Sequence, residues 1–247
     1  MSEEFIIGRN PVLEALKSER DINKIWIAEG SQNGSMRQVI NLAKEKNVLT
    51  QIVPKKKIDA MVDGIHQGVV AAVAAYQYAD LDDLFAVAEK RNEAPFFLIL
   101  DEIEDPHNLG SIMRTADATG AHGIIIPKRR AVGLTATVAK ASTGAIEYIP
   151  VARVTNLART IEELQKRGLW IVGTDAKGSQ DYRTLDGKMS IGVIIGSEGK
   201  GMSRILREKC DFLVHMPMVG RVTSLNASVA ASLLMYEVYR KRNPLGH

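Results

Sequence analysis

The chain has 247 residues, of which 45% are hydrophobic and 25% charged, and its formal net charge is +3 at pH 7. This is ordinary globular composition, and no apolar run approaches the roughly 20 residues that cross a bilayer. Cys210 is the single cysteine, which excludes an intramolecular disulfide and a multi-cysteine zinc site. The five histidines show no metal-ligand spacing, so we expect no metal. The opening residues lack the basic and apolar segments of a secretory signal, and we therefore expect a cytoplasmic protein.

Helix and strand signals alternate through the first 75 residues. Asn10 and Pro11 suit the N-cap and the first position of a helix. The periodicity predicts helices over residues 11–19, 36–47 and 55–62 and strands over residues 22–28, 49–54 and 68–76. We therefore expect a small α/β domain over residues 1–75. Residues 76–95 are acidic and amphipathic and end at Pro95, a pattern that favours a helical linker.

A second pattern starts at residue 96, where short, fully apolar strands alternate with loops and helices. The predicted strands are residues 96–101, 123–127, 169–175, 191–196 and 211–217. Runs that are apolar on both faces, with amphipathic helices between them, indicate a mostly parallel sheet covered by helices on both sides. The predicted fold class of residues 96–247 is therefore α/β. In such sheets a ligand binds beyond the carboxyl ends of the strands, so the loops after these strands form the candidate site.

Two residues after the first of these strands are candidates for function. Asn108 stands just before a predicted helix over residues 111–120, and by itself it suits an N-cap. Arg114 lies in that helix among small and apolar residues, where a guanidinium needs an anionic or hydrogen-bonding partner. The partner is either a ligand or, as an internal salt bridge, Asp117 or Asp101.

The next two loops contain glycines, whose main chain a ligand can approach closely. Gly173 and Thr174 place an unshielded main chain and a hydroxyl at a strand end. The loop GSEGKGMS, which starts at Gly196, has three glycines that would let backbone amides approach a ligand closely. A Walker A loop would need lysine where this chain has Met202, and a dinucleotide fingerprint would need glycine where it has Arg204. A nucleoside triphosphate is therefore not the expected ligand.

The fourth loop holds a run of small polar residues, TSLNAS, before an alanine-rich helix. Ser224 as the N-cap of that helix is the simplest interpretation. One cap does not require Thr223, Ser224, Asn226 and Ser228 together. The turn is therefore a candidate part of the site as well as a helix start.

Three ordered segments of residues 96–247 carry a family resemblance. They read NLGSIMRTADATGAHGI, VIIGSEGKGMS and MPMVGRVTSLNASVAASLL. With them the sequence resembles the SpoU, or TrmH-like, branch of the SPOUT RNA methyltransferases. It is most similar to the bacterial members that methylate the 2′-hydroxyl of a guanosine in 23S ribosomal RNA. The resemblance covers nearly the whole chain, because residues 1–75 resemble the ribosomal protein L30e-like RNA-binding domain that several of these enzymes carry.

The resemblance implies S-adenosylmethionine as the cofactor, bound in a deep trefoil knot of the C-terminal domain. A knot runs against the general rule that chains do not thread their own loops, so the resemblance alone supports it. The cofactor would be held mainly by main-chain atoms. The residues that match this role are Gly173, Thr174, Gly196, Met216, Ser224, Leu225 and Asn226.

The residues that match the family's catalytic positions are Arg114, Asn108, Glu198, Ser224 and Asn226. Arg114 would act on the ribose hydroxyl. Because arginine is too basic to lose its proton at neutral pH, we expect it to stabilise charge while an RNA phosphate or solvent takes the proton. Asn108 would orient the ribose or Arg114, and Glu198 would hold the site in place by hydrogen bonds. Ser224 and Asn226 would organise the last loop.

Family members are dimers in which the C-terminal helix packs at the interface and the partner subunit lies close to the active site. The resemblance therefore implies a homodimer that acts on 23S ribosomal RNA or its precursor, without a membrane or a metal. Basic clusters are typical of solvated surfaces, but here the resemblance favours phosphate contact. The residues concerned are Arg9, Asn10, Lys55, Lys56, Lys57, Lys128, Arg129 and Arg130.

Two alternatives stand beside this interpretation. A transfer-RNA 2′-O-methyltransferase would share the chemistry, but such enzymes often lack the L30e-like extension that residues 1–75 resemble. A non-catalytic RNA-binding protein could keep the fold, but it would not need all five catalytic matches together. Binding of S-adenosylmethionine separates the enzyme from the binder.

Overall fold

The computed structural model describes residues 4–17, 21–31, 34–73, 76–176, 178–221 and 224–245, so Thr223 of the TSLNAS turn lies outside the described residues. The chain divides into two compact units. The first is Met1–Gln77 with Gly133–Ala136, and the second is Tyr78–Val132 with Thr137–His247. In the part of the chain that is described, no helix combines the length and the apolar character needed to cross a membrane.

The first unit is a mixed sheet with helices packed against it. Its strands are β1 (Glu4–Ile7), β2 (Ile22–Ala28), β3 (Thr50–Val53) and β4 (Val69–Val73), and its helices are α1 (Arg9–Lys17), α2 (Ser35–Glu45) and α3 (Lys55–Asp59). In the strand order β1-β4-β2-β3, β4 runs antiparallel to β1 and β2, and β3 runs parallel to β2. Because α1 begins at Arg9, Asn10 and Pro11 lie inside its first turn, and the prediction that they form its N-cap and first position is wrong.

The strand β4 separates two small cores of the first unit. Val69, Ala71 and Val73 pack with buried residues of α1 and α2. Val70, which points to the other face, packs with Ile58 of α3. The alternation follows from the two-residue period of a strand, and it explains why β4 is apolar throughout.

The second unit is a parallel sheet between helices. Its strands are β5 (Phe96–Leu100), β6 (Gly123–Pro127), β7 (Val151–Val154), β8 (Trp170–Thr174), β9 (Gln180–Asp181), β10 (Ile191–Ile195) and β11 (Phe212–His215). Its helices are α4 (Leu81–Arg91), α5 (Pro106–Thr119), α6 (Ala136–Ser142), α7 (Leu157–Lys166), α8 (Arg204–Arg207) and α9 (Ala227–Arg242). The strand order is β7-β6-β5-β10-β8-β11-β9, and every pair of neighbours is parallel. The predicted α/β class with a mostly parallel sheet is confirmed, whereas the trefoil knot stays a prediction.

The predicted helix in residues 76–95 is found as α4. This helix is part of the second unit, however, and not a linker. Leu84 and Ala88 are buried, and Leu84 packs in the same core cluster as Phe97 and Ile161. Gly123 makes room for it, since a Cβ at that position would lie 2.3 Å from Cγ of Leu84. The acidic outer face of α4 therefore hides an apolar inner face that belongs to the core.

Candidate active site

Four neighbouring strands end side by side at one edge of the second sheet. In the order β5-β10-β8-β11, their last residues are Leu100, Ile195, Thr174 and His215. Because these strands are parallel, the four loops that the sequence singles out all leave from this edge. Candidate residues that are far apart in the chain are thereby brought within hydrogen-bonding distance.

Asn108, Glu198 and Asn226 form a closed set of hydrogen bonds, which we call the Asn-Glu-Asn triangle. Asn108 Nδ2 donates to Glu198 Oε1 at 2.9 Å, and Asn226 Nδ2 donates to Asn108 Oδ1 at 3.0 Å and also to Glu198 Oε1. The main-chain N–H of Ala227 donates to the same carboxylate oxygen at 3.4 Å. A hydrogen bond to a charged group is worth about 1.5–3 kcal/mol. The triangle therefore ties together the loops after β5, β10 and β11.

Asn226 also begins the last helix. Its Oδ1 accepts hydrogen bonds from the main-chain N–H groups of Ser228 at 2.9 Å and Val229 at 3.3 Å, which makes Asn226 the N-cap of α9. The prediction that Ser224 caps this helix is wrong, because α9 starts only at Ala227. Ser224 is exposed in the segment before it.

The helix α5 also begins differently from the prediction. Asp105 Oδ1 accepts a hydrogen bond from the main-chain N–H of His107 at 2.8 Å, so Asp105 is the N-cap and Pro106 is the first helical residue. Asn108 is therefore inside the first turn, and its prediction as an N-cap is wrong. Its side chain, which is 8% exposed at the residue level, is instead committed to the triangle.

Arg114 stands on α5 with an exposed side chain. Among the described residues, no hydrogen bond or ion pair holds its guanidinium, so the internal salt bridge to Asp101 or Asp117 does not form. The neighbouring Thr115 places its Oγ1 3.0 Å from Oγ of Ser232, so α9 packs against α5 beside Arg114. The guanidinium thus remains available for an anionic ligand.

Asp101 is a residue whose structural importance the sequence reasoning missed. It directly follows β5, is 6% exposed, and accepts a hydrogen bond from the main-chain N–H of Ser203 at 2.7 Å through Oδ2. Its own N–H donates to the carbonyl oxygen of Ile195 at 2.9 Å. Asp101 therefore fastens both ends of the glycine-rich loop after β10 to the end of β5. An aspartate directly after a fully apolar strand was the available signal.

The glycine-rich loop closes on itself. The N–H of Gly201 donates to the carbonyl oxygen of Ser197 at 2.9 Å. A Cβ on Gly196 would lie 2.2 Å from the main-chain nitrogen of Met202 and 2.3 Å from the carbonyl carbon of Gly201. Glycine at position 196 is therefore required by the packing of the loop, whether or not a ligand also approaches it. The closed loop presents Glu198 to the triangle.

The residues predicted to contact the cofactor lie around this edge. Gly173 is buried, and a Cβ there would be 2.6 Å from Sγ of Cys210, so a larger residue would force neighbouring side chains to move. Thr174 Oγ1 donates to a strand carbonyl at 3.2 Å. Met216 and Leu225 are half-buried next to the ends of β11 and α9. Thr174 and Gly196 are half-buried, and main chain there with a few apolar side chains nearby suits a cofactor that combines a flat ring with an apolar chain. Burial raises the pKa of Cys210 to about 12, which disfavours the thiolate that a nucleophile needs.

The structure brings three of the predicted RNA contacts together in the first unit. Arg9, Asn10 and Lys55 line one cleft, whereas Lys56 and Lys57 are exposed on α3 and do not line it.

In the second unit, Lys128, Arg129 and Arg130 follow β6. Arg130 Nη1 lies 2.7 Å from Oε1 of Glu102, and this carboxylate raises the pKa of Arg130. An RNA phosphate would therefore have to compete with Glu102 for Arg130, which makes Lys128 and Arg129 the freer cations. Among the residues whose placement is described, no group of three or more His, Cys, Asp or Glu side chains is arranged to hold a metal ion.

The second unit and the first unit each match a known family. Residues 95–236 match the SpoU rRNA Methylase family, and residues 5–79 match a family described as RNA 2′-O ribose methyltransferase substrate binding. The two matches together cover both units. Their boundaries agree with the division of the chain into two compact units near residue 77.

Relatives and solved structures agree with these matches. The TrmH family tRNA/rRNA methyltransferase YacO of Bacillus subtilis is 68% identical over 243 residues, which covers 98% of both chains. The AdoMet-bound rRNA methyltransferase from Sinorhizobium meliloti has a TM-score of 0.60 at 29% identity and covers 96% of this chain and 86% of that one. A TrmH/SpoU tRNA modifying enzyme from A. aeolicus has a TM-score of 0.55 at 27% identity and covers 65% of this chain and 83% of its own. The chain therefore belongs to the SpoU family and is an RNA 2′-O-ribose methyltransferase.

Proposed function

We propose that the enzyme methylates the 2′-hydroxyl of a guanosine in 23S ribosomal RNA or its precursor. S-adenosylmethionine is the methyl donor. The observation that carries the proposal is the Asn-Glu-Asn triangle, because it fixes three loops at the sheet edge where a cofactor and a ribose must meet. Correct orientation of two reactants is worth about 7–11 kcal/mol, so a rigid frame is the main requirement of this reaction.

The side chains of the site then have distinct tasks. When bound, the cofactor would supply an electrophilic methyl group to the ribose 2′-oxygen. Arg114 stabilises the negative charge that develops on that oxygen, and the hydroxyl proton passes to an RNA phosphate or to solvent. Asn108 orients the ribose or Arg114, Glu198 holds the frame, and Asn226 with Ser224 organises the last loop. The residues that would hold the cofactor, mainly through main-chain atoms, are Gly173, Thr174, Gly196, Met216, Ser224, Leu225 and Asn226.

Ribosomal RNA is favoured over transfer RNA as the substrate by the extent of the likeness. The solved rRNA methyltransferase covers 96% of this chain, whereas the solved tRNA modifying enzyme covers 65%. Residues 1–75 act as the L30e-like substrate-binding domain, and residues 5–79 match a substrate-binding family. We place the enzyme in the bacterial cytoplasm, where ribosomal RNA is made. Methyl transfer to unmodified 23S RNA and to unmodified transfer RNA, followed by mapping of 2′-O-methyl sites, decides between the two substrates.

The enzyme acts as a homodimer through α9. Four apolar or aromatic side chains of this helix are 40% to 53% exposed, and they recur at helical spacing: Val229, Leu233, Tyr236 and Tyr239. A second copy that covered this face would also approach Arg114, which lies beside the contact of α5 with α9. The Leu233→Asp variant is expected to sediment as a monomer and to lose methyl transfer. A monomeric wild-type protein with full activity would contradict this part of the proposal.

Arg114→Ala tests the assignment of the catalytic arginine. Loss of one charge-stabilising group costs about 100- to 1,000-fold in rate, and the affinity for S-adenosylmethionine should not change. Arg159→Ala is the matched control, since Arg159 is an exposed arginine on α7, another helix of the same unit. If Arg114→Ala methylated RNA as fast as Arg159→Ala, the assignment would be wrong. If the wild-type protein bound no S-adenosylmethionine, a non-catalytic RNA-binding protein would be the better interpretation.

A further inference from the structure

The first unit contains a cleft of about 830 Å³ that no part of the methyl-transfer chemistry uses. It is lined by the start of α1, by two serines before and at the start of α2, by both ends of α3, and by the loop that precedes β4. The volume falls in the range of about 300–1,000 Å³ that is typical of sites for small ligands or single chemical groups. The cleft is therefore large enough for a nucleotide and too small for a duplex.

The cleft carries two cations and one anion. Arg9 Nε donates to the main-chain oxygen of Gln67 at 3.1 Å, and the Arg9 N–H donates to Oε1 of the same glutamine, also at 3.1 Å. The first of these bonds holds Nε of the guanidinium and leaves its two terminal nitrogens for other partners. Lys55 also lines the cleft, and so does Asp59, which is already bonded to His66. The cleft therefore has a net positive charge, and the side chain of Arg9 is already held in place by its bond to Gln67.

The loop before β4 is held rigidly in an unusual shape. His66 is buried; its Nδ1 accepts from the N–H of Gly68 at 3.0 Å, so its Nε2 carries the proton that is donated to Oδ1 of Asp59 at 2.7 Å. Gln67 has a positive φ of 50°, a conformation that L-residues rarely adopt. Backbone strain of this kind persists only where the surroundings impose it. The histidine and the aspartate therefore act together as a clamp on the loop.

The clamped loop exposes a large apolar side chain at the rim of the cleft. Ile65 is 85% exposed and lines the cleft directly beside His66. An isoleucine side chain that stays almost wholly in water contributes almost no burial free energy to folding. Contact with the face of an unstacked base would remove its apolar surface from water. Cations for phosphate, polar groups for base edges and an apolar surface for a base face therefore meet in one place.

We propose that this cleft binds one unpaired nucleotide of the substrate RNA, other than the nucleotide that is methylated. Arg9 and Lys55 bind the phosphates on either side of the nucleotide, Ile65 contacts its base, and Asn10 donates to a base edge or to the ribose. The inference rests on the proposed function only in that the RNA is the substrate. The inference assigns a phosphate contact in the cleft to Lys55 but not to Lys56 or Lys57, which do not line it.

Binding of the full-length protein to two labelled RNAs tests this inference. One is a hairpin with an unpaired loop, and the other is a duplex of the same composition; both are titrated at several salt concentrations. The hairpin should bind more tightly, and guanosine monophosphate should compete only weakly, because it offers one phosphate. Arg9→Ala and Lys55→Ala should each reduce the slope of log affinity against log salt by about 0.7, the value for one phosphate on a single strand.

Ile65→Ser should weaken hairpin binding about fivefold to tenfold, which corresponds to partial burial of the side chain, and should leave the salt slope unchanged. Two variants serve as matched controls and should change neither quantity. Ile52→Ser removes another exposed isoleucine, on β3, and Lys44→Ala removes a lysine in the last turn of α2, away from the cleft. All variants should bind S-adenosylmethionine as the wild-type protein does.

Two results would overturn the inference while leaving the methyltransferase intact. One is equal binding of hairpin and duplex, and the other is equal behaviour of Ile65→Ser and Ile52→Ser, which would reduce the cleft to a surface that attracts phosphate. Failure of the proposed function has a different signature. In that case the wild-type protein would transfer no methyl group to ribosomal RNA, whatever the cleft variants do to binding.

Discussion

Asn226 has two tasks, and replacing it by aspartate separates them. Its Oδ1 caps α9 through Ser228 and Val229, while its Nδ2 donates to the other two members of the triangle. Aspartate keeps a capping oxygen but puts a second oxygen where the Nδ2 stood. That oxygen would face Oδ1 of Asn108 and the carboxylate of Glu198, which are both acceptors. Asn226→Asp should therefore keep the helix start and break the triangle.

The expected magnitude follows from the bonds lost. Asn226→Ser also keeps a good N-cap but reaches neither partner, so it loses two hydrogen bonds, or about 2–3 kcal/mol of unfolding free energy. Asn226→Asp loses the same bonds and adds like-charge repulsion near the surface, which is worth about another 1–2 kcal/mol. The gap between the two variants should be largest at neutral pH and shrink in acid, where protonation of carboxyl groups removes the repulsion.

Urea unfolding of the second unit measures these differences. Trp170 lies in that unit and Trp26 in the other, so a Trp26→Phe background makes tryptophan fluorescence report the second unit alone. Methyl transfer is measured on the same variants, and both should be slower than the wild-type protein. The reasoning is refuted if the aspartate and serine variants unfold at the same urea concentration at every pH. It is equally refuted if either variant methylates RNA at the wild-type rate.

Three further predictions concern stability and reactivity. Gly110→Ala would place a Cβ 2.4 Å from that of Ala141, so the overpacked variant should lose about 1–3 kcal/mol in urea unfolding; an unchanged midpoint would contradict the packing described. Burial lowers the pKa of His122 below its ordinary value, so the unfolded chain binds its proton first and stability should fall as the pH drops below about 6.5. His122→Gln should remove that part of the pH dependence, and a wild-type curve that is flat there would contradict it. Burial raises the pKa of Cys210 to about 12, so iodoacetamide should label the native protein far more slowly than the protein in urea.

The sequence predicts the central elements of the fold well, because their signals are strong. The strands at residues 22–28 and 123–127 are found where they were predicted, since each is an apolar run between turn signals. The edge strand β7 was missed because Arg153 interrupts its apolar pattern. The sequence of α4 predicts a linker because its acidic residues outnumber the two side chains, Leu84 and Ala88, that enter the core.

The candidate site could be predicted only as a set of residues, not as a geometry. Ser224 and Asn226 are equally good helix caps by residue type, and the choice between them is made by the bonds of Asn226 to Glu198 and Asn108. The first and last members of the triangle are 118 residues apart, so no local pattern could show that they touch. Glycine at position 196 predicted an open approach to a ligand, whereas the loop uses that glycine first for its own closure.

One measurement tests the central claim most directly. Unmodified 23S RNA is incubated with the enzyme and with S-adenosylmethionine labelled in its methyl group, and the labelled RNA is then hydrolysed in alkali. A methyl group on the ribose 2′-oxygen blocks cleavage of the neighbouring phosphodiester, so the label should appear in alkali-resistant dinucleotides that contain 2′-O-methylguanosine. Arg114→Ala should reduce this label by about 100- to 1,000-fold. Label found in alkali-sensitive mononucleotides, or full labelling by Arg114→Ala, would contradict the account.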